Sequence, residues 1–186
     1  AGRGIEDRSG RVPRDSPAQS EDAQRDLLAT AARRMRLHLT HVVLPFWHTH
    51  AVDAARGGYS LDASVVGNST TVKQSAQRFL VFQARMVWSF SLAHRLGWSR
   101  PARDYLAAAQ HGFSFLQEHM LDREHGGYFW LVQTRGGSGT STVKDPRKQL
   151  YGLGFVIYGF VELHRASGGD EPLRAALELF RHVQAP

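Results

Sequence analysis

R-F-L-V-F-Q-A-R-M-V-W-S-F-S-L, residues 78–92, is almost wholly apolar and yet carries Arg85 at its centre. A helix of this composition has no polar side to turn to water, so it belongs inside a fold. One guanidinium in the middle of such a helix points to a pocket. Outward from this stretch, the same plan returns about 70 residues later. D-A-A-R-G-G-Y at 53–59 is answered by D-R-E-H-G-G-Y at 122–128. His50 is answered by His119, and Thr71, Val72 and Lys73 by Thr142, Val143 and Lys144. Phe90, His94 and Arg95 are answered by Phe160, His164 and Arg165.

Between these landmarks the pattern predicts five helices. The first is capped by Ser20, with Glu21 and Asp22 at its positive end. Its apolar face is Leu28, Ala31, Ala32, Met35, Leu39 and Val42, and Pro45 marks its end. The second, holding Arg85, runs from near Ser75 to Gly97. The third opens at Ser99 and Pro101, buries Leu106, Ala109, Phe113 and Leu116, and runs to about Met120. A hairpin follows, from Y-F-W-L-V at 128–132 through a glycine-rich turn at 136–139. Asp145 and Pro146 cap and open a fourth helix, apolar all round from Leu150 to Leu163. Asp170 and Pro172 begin a fifth, with Leu173, Ala176, Leu177, Phe180 and Val183 on one side.

The repeating unit is thus an amphipathic helix, a D-x3-G-G-Y loop and a buried helix. Half-buried helices alternating with fully buried ones are what an α/α toroid requires. The fold class is therefore all-α: a partial barrel of about five helices with short hairpin loops, over residues 20–186. Residues 1–19 read as a disordered tail, with almost nothing to bury. The chain stops where a third D-x3-G-G-Y loop falls due.

Composition narrows the function classes. The 186 residues are 42% hydrophobic, as in a globular domain with a real core. No cysteine is present, which removes thiolate nucleophiles and thiolate metal sites, and fits a reducing, cytoplasmic setting. No apolar run reaches membrane-spanning length. The net charge of +6 comes from arginines dispersed among acids rather than clustered. Neither nucleic acid nor membrane is the expected partner.

The pieces L-P-F-W, D-x3-G-G-Y, F-Q-A-R-M-V-W-S-F-S, H-G-G-Y-F-W and K-Q-L-Y-G-L-G-F-V-I-Y-G, in this order and spacing, give a family resemblance. From about Ala23 onward the chain resembles the N-terminal half of the N-acylglucosamine 2-epimerase family. That family includes cellobiose 2-epimerases and mannose-type aldose–ketose isomerases. The resemblance implies an (α/α)6 barrel and a small-molecule sugar substrate, with no cofactor and no metal. It implies an epimerase or isomerase that transfers a proton at C2 of an open-chain aldose. It places Arg85 on the arginine that holds sugar oxygens near the reacting carbons. Tyr128 falls on a pocket-lining tyrosine. Arg78 stands where the family often has lysine, and Val81 where it often has tryptophan. The acid–base histidines of the family fall beyond Pro186. A homodimer is left open.

Each candidate has a structural alternative. Arg85 is a substrate clamp or a structural arginine paired with a buried acid. Trp88, one turn on, either contacts sugar or packs the core. Tyr59 either lines the site or only covers the barrel end, as does Tyr128, and Trp130 with Phe129 lines a pocket or anchors the hairpin. His38, His41, His48 and His50 read as surface and loop histidines rather than metal ligands. Asp53 and Asp122 read as loop-fixing groups rather than a glycosidase pair. Two other functions fit the same fold: a non-catalytic helical-repeat module binding sugar or protein, and a glycoside hydrolase.

Overall fold

The computed structural model describes residues 17–60, 62–66, 69–135 and 140–185. Most of the expected tail and the glycine-rich turn at 136–139 lie outside the described residues. The chain divides into two compact units, Ala1–His41 and Val42–Pro186.

The first unit contains α1 (Pro17–His38). It starts three residues before Ser20, and its expected apolar face is open, with Leu28 62% and Met35 73% exposed. A π-helical turn, Leu39–Val43, follows. Within it the Thr40 hydroxyl donates to the Arg36 carbonyl, and the His41 ring is bonded to the Leu37 carbonyl. Side chains that take helical carbonyls in this way disturb the i→i−4 ladder. Pro45 therefore does not end helical structure. It falls in the first turn of α2 (Leu44–Ala51), where a missing N–H costs little.

In the second unit, β1 (Asp62–Val66) and β2 (Ser69–Lys73) form an antiparallel hairpin. β3 (Gln77–Phe79) leads into α3 (Leu80–Arg95). Helix α4 (Tyr105–Phe115) is prolonged by a second π-helical turn, Leu116–Met120. β4 (Leu131–Thr134) and β5 (Ser141–Asp145) precede α5 (Leu150–Ser167) and α6 (Asp170–Gln184). β3, β4 and β5 make one antiparallel sheet in that order.

Helix α3 packs on α5 and α4, and α5 packs on α6. The core comprises Leu80, Ala84, Val87 and Phe90 of α3 with Leu153, Val156, Phe160 and Leu163 of α5. Ala108, Ala109 and Phe113 of α4, and Ala176 and Leu179 of α6, close it from outside. Each such large side chain contributes about 1.5–3 kcal/mol by leaving water. Gly159 lets α3 and α5 meet closely: a Cβ there would stand 2.8 Å from the Ala84 carbonyl oxygen. At the far end of the pair, Arg95 of α3 and Arg165 of α5 both bind the buried Glu162 carboxylate.

Three helix starts differ from expectation. Ser75 does not open α3, because the Ser60 hydroxyl accepts from its N–H and donates to its carbonyl. The next residues are then drawn into β3 by pairing with β4. Ser99 and Pro101 do not open α4; its cap is Asp104, whose carboxylate accepts from the N–H groups of Leu106 and Ala107. Asp145 ends β5 and pairs with Arg147, so α5 begins only at Leu150.

Candidate functional site

Both D-x3-G-G-Y loops adopt one geometry. Asp53 accepts from the N–H groups of Ala55 and Arg56, and Asp122 from those of Glu124 and His125. Gly57 and Gly58, like Gly126 and Gly127, sit at φ between 67° and 81°, a region that side chains with a Cβ rarely adopt. Antiparallel bridges Val52–Tyr59 and Leu121–Tyr128 close the loops.

A cation two residues before each inner helix locks each loop. The Arg78 guanidinium is fully buried and meets the Asp53 carboxylate at 2.7 Å. It also donates to the carbonyls of Gly57 and Ser75. Burial pushes Arg78 below its ordinary pKa, opposed by the Asp53 charge and hydrogen bond. In the second repeat Lys148 meets Asp122 at 2.6 Å and lies 4.8 Å from the Phe129 ring centre. The hydrogen bond from Lys148, with those from the His125 and Glu124 backbone, holds the Asp122 carboxyl well below the usual carboxylate range.

The loops hold both tyrosines inside. Tyr59 is fully buried, its hydroxyl donates to the Ala108 carbonyl at 2.6 Å, and Gln83 bonds both its N–H and its C=O. Gly112 is glycine because a Cβ would stand 2.3 Å from that ring. Tyr128 is likewise buried. Burial raises both phenol pKa values. Tyr128 also lines a small cavity with Gln117, Glu178 and His182.

Arg85 and Trp88 occupy a different place. One stripe of α3 is uncovered: Val81, Arg85, Trp88 and Leu92 are exposed or half-buried, while the rest of the helix is mostly core. Beside it lies the equally open stripe of α5, with Tyr151 63% and Tyr158 54% exposed. The stripes are in register. The Arg85 guanidinium lies 5.6 Å from the Phe155 ring centre, and Trp88 stacks on Tyr158 at 5.3 Å and 17°. Helix α5 is thus not apolar all round and buried; it presents aromatic rings on one side. Among the described residues no carboxylate pairs with Arg85. Trp130 is half-buried at the base of both helices: its backbone bonds Leu80 and Asp145, and its ring abuts Gly152.

The structure brings Arg85 and Trp88 together and adds Tyr151, Phe155 and Tyr158, which inspection of the motifs alone misses. The signal was present: a 70-residue offset carries Val81, Arg85 and Trp88 onto Tyr151, Phe155 and Tyr158. The histidines with described hydrogen bonds in this unit are engaged elsewhere, His94 with Ser99, His111 with Gly58, His119 with Ser141 and His164 with Gly169. Among the described residues no group of three or more potential metal ligands occurs, and no helix is long and apolar enough to cross a membrane.

Inner helices backed by outer ones, joined by short loops and hairpins, define a segment of an α/α toroid. A structure of cellobiose 2-epimerase from Spirochaeta thermophila aligns with a TM-score of 0.71 at 31% identity, over 86% of this chain and 37% of that one. The family model for N-acylglucosamine 2-epimerase (GlcNAc 2-epimerase) matches residues 57–184, and the chain belongs to that family. Curated relatives include the cellobiose 2-epimerases of Bacteroides fragilis, 32% identical over 153 residues, and of Dictyoglomus turgidum, 33% identical over 147. These alignments take in 82% and 79% of this chain but only 36% and 35% of the relatives, so it spans about a third of their length. A family 76 α-mannanase of Bacteroides thetaiotaomicron, 18% identical at a TM-score of 0.55, shares the fold alone.

Proposed function

We propose that this chain forms part of a carbohydrate 2-epimerase or aldose–ketose isomerase, with the α3–α5 face as its share of the sugar site. The observation that carries this reading is the Arg85 guanidinium on an open aromatic face, in a chain of the N-acylglucosamine 2-epimerase family. The C2 proton of an open-chain aldose is removable because the neighbouring carbonyl delocalises the charge. As the enediolate forms, negative charge gathers on oxygen, and donors from Arg85 stabilise it there. Aromatic faces at Trp88 and Tyr158 suit the C–H faces of a sugar. Return of the proton to the opposite face of C2 gives the epimer, and its delivery to C1 gives the ketose. The reaction is redox-neutral and calls for no redox cofactor.

Arg85 supplies no base. The proton-transferring groups, histidines by the family resemblance, are assigned to the two-thirds of the relatives to which nothing in this chain corresponds. Tyr59 and Tyr128 then act by fixing the loops, and Trp130 by setting the floor beneath α3 and α5. The proposed setting is the cytoplasm, with no nucleic-acid partner, and with assembly as a homodimer left open.

The test is exchange of the C2 proton of a reducing sugar in D2O, followed by NMR, on a protein in which this chain is joined to the remaining two-thirds present in its relatives. Arg85→Ala is expected to lower the exchange rate about 10²–10³-fold with the circular dichroism spectrum unchanged. An unaltered rate removes Arg85 from the chemistry.

A further inference from the structure

Helix α2 is short and uncapped. It spans eight residues, Leu44–Ala51, and its N-cap residue, Val43, gives no side-chain hydrogen bond. A helix of that length is not stable by itself in water, so its place depends on what its side chains touch. Trp47 meets Phe82 at 6.0 Å. His48 stands nearly perpendicular to two rings that are themselves stacked: Phe90 of α3 at 6.0 Å and Tyr105 of α4 at 5.6 Å. Beyond Ala51 the chain passes through the Val52–Tyr59 bridge into the first D-x3-G-G-Y loop. We propose that His48 is a pH-sensitive latch. Neutral, it seats α2 on Phe90 and Tyr105; protonated, it releases α2 and loosens the loop at 53–59.

The groups around His48 set this direction. Helix α3 presents the uncharged Phe90 ring, and its own histidine, His94, is bonded to Ser99. The start of α4 presents Arg103, Asp104 and Tyr105. On α2 itself, His50 packs on Phe46. Burial disfavours the charged form of the His48 ring, and the Arg103 guanidinium disfavours it further. Asp104 works the other way, but its carboxylate is committed to the N–H groups of Leu106 and Ala107. The balance leaves His48 below its ordinary pKa. Burial raises the Tyr105 phenol, which therefore stays neutral when His48 titrates.

A second histidine touches the same loop. His111 bonds the Gly58 carbonyl through Nε2. A nitrogen facing a carbonyl carries a proton in the neutral ring and keeps it in the charged one, so His111 holds its contact in both states. The latch is built from contacts within this chain and does not rest on any surface being open. Its sign follows from the lowered pKa. Release begins as pH falls through the ordinary histidine value of about 6.5 and is complete below the folded value. It is a local opening, read by hydrogen exchange.

The experiment compares exchange at about pH 7.5 and about pH 5.5, corrected for the intrinsic rate at each, where ordinary carboxylates and phenols keep their charge. It uses a protein in which this chain is joined to the remaining two-thirds present in its relatives. Protection of residues 44–60 is expected to fall about threefold or more on acidification. In His48→Phe, which keeps a ring and cannot titrate, the fall is expected to vanish. In Arg103→Gln it is expected to shrink, because loss of that cation brings His48 nearer its ordinary pKa. Equal protection at both pH values overturns the proposal. So does a full fall in His48→Phe, which would assign the effect to another group. Should His48→Phe fail to fold, NMR titration of the histidine rings in the unaltered protein decides: a His48 midpoint at or above about 6.5 overturns the latch.

Discussion

Arg78 and Arg85 lie seven residues apart and do opposite work, and only burial tells them apart. Arg78 is enclosed and bound to Asp53 and to the carbonyls of Gly57 and Ser75; Arg85 is open and lies against the Phe155 ring. The sequence marked Arg85 through its apolar neighbours, but the partner of Arg78 lies 25 residues away, beyond a hairpin. Spacing could not reveal that pair. The repeat nevertheless contained it, because Asp53 with Arg78 and Asp122 with Lys148 are the same pair twice. Replacing Arg78 by methionine leaves the Asp53 carboxylate buried without its closest cation. The expected loss is about 3–5 kcal/mol, read as a lower urea midpoint. Lys148→Met is expected to cost distinctly less, since Lys148 is 24% exposed and water can replace it. Equal losses would mean that burial of the first pair is unimportant.

Among elements, the inner helices show what the sequence could and could not specify. Apolar composition identified both, and their ends were obscured by long-range events: β3 forms on a partner more than 50 residues away, and a serine hydroxyl holds Ser75 extended. The α4 start was missed because Ser99 and Pro101 are plausible local signals, whereas Asp104 has the geometry. The open stripe of α5 was hidden by the same apolar composition that identified the helix, since an aromatic ring reads as core until its neighbours are known. Two glycines of α5 make the contrast measurable. At Gly154 an added Cβ meets nothing within 4 Å, so Gly154→Ala should stabilise the helix by about 0.5–1 kcal/mol. At Gly159 it would press on the Ala84 backbone, and Gly159→Ala should cost about 1–3 kcal/mol. Thermal unfolding of the two variants should therefore shift in opposite directions. If both shift upward, the close approach of α3 and α5 is wrong.

The repeat places titratable groups at equivalent loop positions, and this gives the stability of the whole molecule two limbs in pH. On the acid side Asp122, and Asp145 through Arg147, have folded pKa values below those of the unfolded chain. Their contribution is complete above the unfolded value of about 4 and is lost as pH falls below it. On the alkaline side Tyr59 and Tyr128 have folded pKa values above the ordinary one. Above about pH 10 the unfolded chain releases phenolic protons that the folded chain retains, so stability falls again. Urea midpoints measured across the range should form a plateau with two shoulders. Lys148→Met is expected to flatten the acid shoulder, because the hydrogen bond that depresses Asp122 most is gone, and to leave the alkaline one in place. Tyr128→Phe is expected to weaken the alkaline shoulder, leaving the part due to Tyr59, and to leave the acid one unchanged. If each variant instead lowers the whole curve without changing its shape, the loops are held by packing, and the Asp122–Lys148 pair and the buried phenols do not set the pH dependence.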